Sequence, residues 1–239
     1  MVASRHAARP PLAWLVLAAS SGALVLGSLY VIFAVAPVEA QMGVVQKIFY
    51  FHVPSAYAMY VGFLVSAVGS AVYLLRRSDR WDAIAVAGAE VGVLFCVIVL
   101  TTGPLWARKA WGVWWTWDPR LTTVLLAGMV FVSYLALRSF GQAGETEKRF
   151  AAALALVGVL ILPVIHYSVQ RWRGQHPTVI TGQGGGLDAD MQLALAVSFV
   201  AFTALVAALL WLRARLERTL QRLVALRIEA AERGLLEEA

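Results

Sequence analysis

The chain has 239 residues, of which 60% are hydrophobic and only 14% charged, and its formal net charge is +6. With a mean hydropathy of +0.73, that charged fraction excludes an ordinary water-soluble domain, where about a quarter of residues carry charge, and assigns the chain to the integral membrane proteins. In such a protein basic residues report orientation in the bilayer, so the positive balance is not read as nucleic-acid affinity.

Residues 12–36 form an uninterrupted apolar run after Arg5 and Arg9. The run is too long for the roughly 7 to 15 residues of a signal-peptide core, so it is read as a retained first helix. Similar runs follow at 56–75, 83–103, 121–137, 150–169 and 191–212, each near the roughly 20 residues that cross a bilayer. The fold class is therefore an all-α integral membrane protein, a single bundle of six transmembrane helices. Six spans put both termini on one side, and 14 of the 20 Lys and Arg residues fall on that side. Both termini are therefore expected in the cytoplasm, with the loop between helices three and four on the outer face. Residues 1–212 form the membrane part and 213–239 a cytoplasmic tail. There Leu209, Leu212, Leu216, Leu220 and Leu223 recur at spacings of 3 and 4 among arginines, an amphipathic helix continuing from helix six. A solvated or lipid-surface helix is preferred to a specific docking element.

Helix three carries Gly88 and Gly92, a pair that permits close helix packing. Between them, Glu90 is an ionisable group at membrane depth, expected to pair with a basic group of this bundle or of a partner subunit. Cys96 is the only cysteine. That excludes an intramolecular disulfide and a Cys-x-x-Cys-His haem attachment site.

Between helices three and four runs Trp-Gly-Val-Trp-Trp-Thr-Trp-Asp-Pro-Arg-Leu-Thr, from Trp111 to Thr122, and with Trp106 this region holds five of the nine tryptophans. An aromatic belt at the membrane boundary is one explanation. The other is a ligand surface: Trp111, Trp114 and Trp115 have helical neighbour spacing, and one turn would gather them into a broad apolar face for a flat aromatic ligand. Asp118 before Pro119 reads as a helix cap or as a catalytic acid.

Four histidines exist. His6 lies in the N-terminal head and reads as a surface residue. His52 precedes Pro54 at the outer mouth of helix two, where the proline suits a first helical turn. His176 lies in the last outer loop, so the two flank the tryptophan loop on its own side of the membrane. A pair of neutral imidazoles is a standard axial set for haem iron, and indoles supply flat apolar walls for a porphyrin. His166, three residues beyond Pro163, is the competing ligand. Lys47 and Arg120 adjoin outer motifs and are the expected partners of the haem propionates.

The run from Trp111 to Thr122 resembles the WWD signature of the haem-handling proteins of cytochrome c biogenesis. The six-span length, Lys-Ile-Phe-Tyr-Phe-His-Val-Pro-Ser from Lys47 to Ser55, and Trp172 to Pro177 in the last outer loop are similar specifically to the haem exporter protein C (CcmC) family. The resemblance covers residues 12–212. It implies that His52 and His176 are external axial ligands of a non-covalent haem b and that Trp111, Trp114, Trp115, Trp117, Asp118 and Arg120 form the haem-facing platform. It also implies location in the bacterial inner membrane and a set of partners. These are the ABC transporter subunits CcmA and CcmB, the small membrane protein CcmD, and the haem chaperone CcmE that receives haem.

Haem presentation is therefore the expected function. A membrane b-type cytochrome carrying electrons is the alternative, since bis-histidine haem suits both; such a cytochrome usually needs its ligands on helices at depth. A channel would need polar residues along several helices, and beyond Glu90 there are few. No Gly-x-x-x-x-Gly-Lys-Ser/Thr loop occurs, so the chain is read as a haem-handling protein and not as an enzyme, with any energy supplied by a partner.

Overall fold

The computed structural model describes residues 10–139, 144–172, 174, 176 and 186–235. Arg5, His6, Arg9, Arg173, Pro177 and the glycine-rich run 182–185 lie outside them. Among the described residues, six helices are long and apolar enough to cross a membrane: Leu12–Val35, Val44–Arg76, Asp79–Trp111, Pro119–Ser139, Glu145–Val169 and Ala189–Glu232. They comprise α1 (Leu12–Tyr30) with a π-helical turn Val31–Val35, a 3-10 turn Val44–Ile48 leading into α2 (Phe49–Arg76), α3 (Asp79–Trp111), α4 (Pro119–Ser139), α5 (Glu145–Val159), α6 (Ile161–Trp172) and α7 (Ala189–Glu232).

Local chemistry explains most of the boundaries. The fifth crossing breaks at Leu160 because Pro163 has no N–H to offer and its ring would press on the Val159 carbonyl four residues back. Helix α3 runs well past residue 103 and stops where Gly112 adopts φ +76°, a left-handed turn that glycine makes without penalty. Helix α2 starts at Phe49, so Pro54 lies inside it and not in its first turn. Helix α4 opens as its sequence predicts. Asp118 Oδ1 accepts from the Arg120 backbone N–H at 2.8 Å, and Pro119 occupies the first helical position. The tail forms no separate element, since α7 is continuous from Ala189 to Glu232.

The packing centre is the crossing of α2 and α3. A Cβ added at Gly88 would stand 2.4 Å from the Ser66 backbone nitrogen, and one at Gly62 would stand 2.5 Å from that of Gly92. Backbone thus meets backbone where the sequence offers glycine, as expected for small-residue helix pairs. Beside this crossing, Phe63 of α2 stacks on Phe131 of α4 at 3.8 Å between ring centroids. Gly88→Ala is expected to destabilise the bundle by about 1–3 kcal/mol through overpacking, read as a lower thermal midpoint in detergent. Gly27→Ala, whose Cβ would meet nothing within 4 Å, is expected to leave the midpoint unchanged. Equal midpoints would mean the crossing relaxes freely.

Ion pairs gather towards the end of the bundle remote from His52. Glu90 pairs through both carboxylate oxygens with Arg213 of α7, so its basic partner lies within this chain. Buried Asp82 accepts from Arg138 at 2.7 Å and from the Gln221 amide at 2.8 Å, joining α3, α4 and α7. A buried charge is tolerated when paired and hydrogen-bonded in this way.

Candidate functional site

At the opposite end, side chains of α2, α3, α4, α6, α7 and the segments between them enclose a cavity of about 680 Å³. That volume falls in the range of small-molecule and cofactor sites. Its walls are mainly apolar and aromatic, and His52, Arg120, His166 and His176 are among the polar side chains that line it.

His52 stands on the second turn of α2, and its Nδ1 lies 2.8 Å from the Thr102 hydroxyl of α3. His176 lies in the segment after α6, and its approach depends on Gly174. A Cβ there would come within 2.6 Å of Asp118 Oδ2, so a glycine lets the chain pass flat against the α4 cap. The two imidazoles face each other with ring centroids 6.4 Å apart and planes inclined by 29°. Two imidazoles bound on opposite sides of one metal, each nitrogen about 2 Å from it, have centroids about 6 Å apart.

Arg120 ties the site together. Its Nη1 stands 3.3 Å from His176 Nδ1 and its Nη2 donates to the His166 carbonyl at 3.2 Å. Its buried Nε and the indole Nε1 of Trp115 have no partner among the described residues. Such orphaned donors are costly unless a ligand or water takes them. Arg120 and His166 both line the cavity.

The tryptophans divide. Trp106, Trp111 and Trp115 line the cavity, whereas Trp114 and Trp117 are 57% and 76% exposed. The expected single helical face does not form, because α3 ends at Trp111 and the chain turns at Gly112. Trp106 meets Trp111 edge to face at 5.5 Å, and Trp115 meets Trp117 likewise at 5.8 Å, the geometry that indole quadrupoles favour. Arg108 sits over the Trp114 ring at 5.9 Å.

Lys47 lies apart from the other expected site residues. It does not line the cavity. Its buried ammonium donates to the carbonyls of Ile32 and Ala36, the latter at 2.9 Å. The π-helical turn leaves these carbonyls without helical partners, and a buried cation needs such acceptors. Asp118 serves α4 as its cap, accepting the Arg120 backbone N–H.

Several residues at or beside the site escape the sequence reading: Thr102, Tyr57, Tyr60, Phe49 and Phe199. On α2 a signal existed. Phe49, Ala56 and Tyr60 stand three residues before and four and eight residues after His52, on its face of the helix, and line the same cavity. Thr102 and Phe199 carry no such mark, since only the packing of α3 and α7 on α2 brings them in.

A family model described as Heme exporter protein C (CcmC) matches residues 4–229. The chain is similar to the Heme exporter protein C of Bradyrhizobium diazoefficiens, 37% identical over 174 residues, covering 72% of this chain and 66% of that protein. It is 34% identical over 197 residues to that of Rhodobacter capsulatus, covering 80% of each. With that of Escherichia coli K12 it shares 34% over 183 residues, 77% of this chain and 74% of that protein. Similarity of this extent, together with a family model that matches residues 4–229, means that the chain belongs to the CcmC family.

Proposed function

We propose that this protein holds a non-covalent haem b between His52 and His176 at the outer face of the bacterial inner membrane and presents it for c-type cytochrome maturation. One observation carries the reading: two imidazole rings 6.4 Å apart in an apolar, indole-walled cavity of about 680 Å³. The residues fit the group. His52 and His176 would take the two axial positions, Trp106, Trp111 and Trp115 would flank the macrocycle, and Arg120 Nε and Trp115 Nε1, both orphaned donors, suit the propionate carboxylates. When bound, haem contributes an iron that prefers two neutral nitrogen ligands.

The excess of Lys and Arg near the termini supports cytoplasmic ends, with residues 213–239 as an inner extension and the WWD loop outside. Trp114 and Trp117, exposed beside the indoles that line the cavity, then form the surface from which the chaperone CcmE takes haem. CcmA and CcmB supply the energy, and CcmD completes the complex. The chain itself binds and hands over and performs no catalysis.

The test is the visible spectrum of the purified full chain from haem-replete cells, with and without reductant. Low-spin bis-histidine bands that vanish on acid-solvent extraction are expected, since no thioether anchors the group. A colourless preparation that takes up no added haem would end the proposal.

A further inference from the structure

We infer that Thr102 is the positioning residue that fixes His52 as a ready ligand, an inference that rests on the haem-holding reading above. The Thr102 hydroxyl lies 2.7 Å from the Ile98 carbonyl and 2.8 Å from His52 Nδ1. A carbonyl only accepts, so the single hydroxyl hydrogen goes to Ile98, and towards His52 the oxygen has only lone pairs. The contact therefore holds when Nδ1 carries the ring proton.

A neutral imidazole has one N–H, so His52 Nε2 keeps its lone pair. That is the form that binds a metal, and a partner on the remote ring nitrogen both orients such a ligand and raises its basicity. Gly103 lies beside the ring, where a Cβ would stand 3.4 Å from His52 Cε1, an ordinary contact. His176 is held differently. Its Nδ1 faces Arg120 Nη1 at 3.3 Å, and a guanidinium only donates, so neutral His176 carries its proton on Nε2 while that contact lasts. The two imidazoles are thus not equivalent, and Thr102 is what prepares the first of them.

The experiment compares full-length Thr102→Val, Thr102→Ser and Thr101→Val proteins titrated with haem and poised in a redox titration. Thr101 is the control for helix α3. It makes the same backbone contact, to Val97 at 2.7 Å, but is exposed and does not touch His52. Thr102→Val is expected to bind haem about 10- to 100-fold more weakly, the usual cost of losing such a partner. Its midpoint potential should rise, because a less basic ligand stabilises oxidised iron less. Thr102→Ser should return both quantities close to the parent, and Thr101→Val should change neither. Parental affinity and potential in Thr102→Val would overturn the assignment, as would an equal loss in Thr101→Val. His52→Gly is run alongside. If it leaves the haem spectrum unaltered, the haem-holding reading fails and Thr102 with it; if it alters the spectrum while Thr102→Val keeps the parental affinity and potential, only the Thr102 assignment fails.

Discussion

Replacing His52 or His176 by glycine is expected to convert a six-coordinate, low-spin haem into a five-coordinate one, and added imidazole is expected to restore the parental spectrum in either variant. The reason is geometric. Ring centroids 6.4 Å apart leave room for one iron between two nitrogens at about 2 Å each, and glycine removes one ring while leaving space for a free one. The double variant should retain almost no haem, since indole contacts contribute only around 1 kcal/mol each beyond burial and leave the iron unheld. His166→Gly should keep the low-spin bands. Its ring meets Tyr167 edge to face at 4.9 Å, and its contact with Arg120 runs through the backbone carbonyl, which glycine also has. Failure of imidazole to rescue either variant, together with loss of haem in His166→Gly alone, would transfer the ligand role to His166.

The second large effect is expected at Arg120. Arg120→Ala should lower the haem-to-protein ratio about tenfold or more, because hydrogen bonds to a charged group are worth about 1.5–3 kcal/mol and this guanidinium makes more than one. It holds the His166 carbonyl through Nη2 and keeps Nε for a propionate, while its Nη1 contact with His176 Nδ1 opens when that ring becomes a ligand. Arg120→Lys should recover only part of the loss, since an ammonium is a point charge that cannot span a forked set of partners. The measurement is haem occupancy after purification at equal protein concentration. A lysine variant with parental occupancy would reduce Arg120 to a source of positive charge, with no role in joining α4 to α6.

What the sequence alone determined is what short-range chemistry governs. The apolar runs mark six crossings because a bilayer demands about 20 apolar residues whatever their neighbours. Asp118 and Pro119 open α4 because a cap acts within one turn. Gly88 and Gly92 announce a close helix crossing because only a missing side chain allows one. The expectation that His52 and His176 act together also rests on residue types beside a tryptophan-rich motif. What only the tertiary structure decided is which of these groups meet. Lys47 adjoins the His52 motif in sequence, yet its ammonium turns to the carbonyls of Ile32 and Ala36, because a π-helical turn in another helix leaves acceptors that no local pattern reveals. The tryptophans share one motif, yet a single left-handed residue, Gly112, sends Trp111 and Trp115 to the cavity and leaves Trp114 and Trp117 exposed. Glu90 finds Arg213, and His52 finds both Thr102 and His176, across helix pairings that depend on the whole bundle. Residue chemistry is carried in the sequence one position at a time, whereas the convergence of distant side chains is set by the packing of every helix at once.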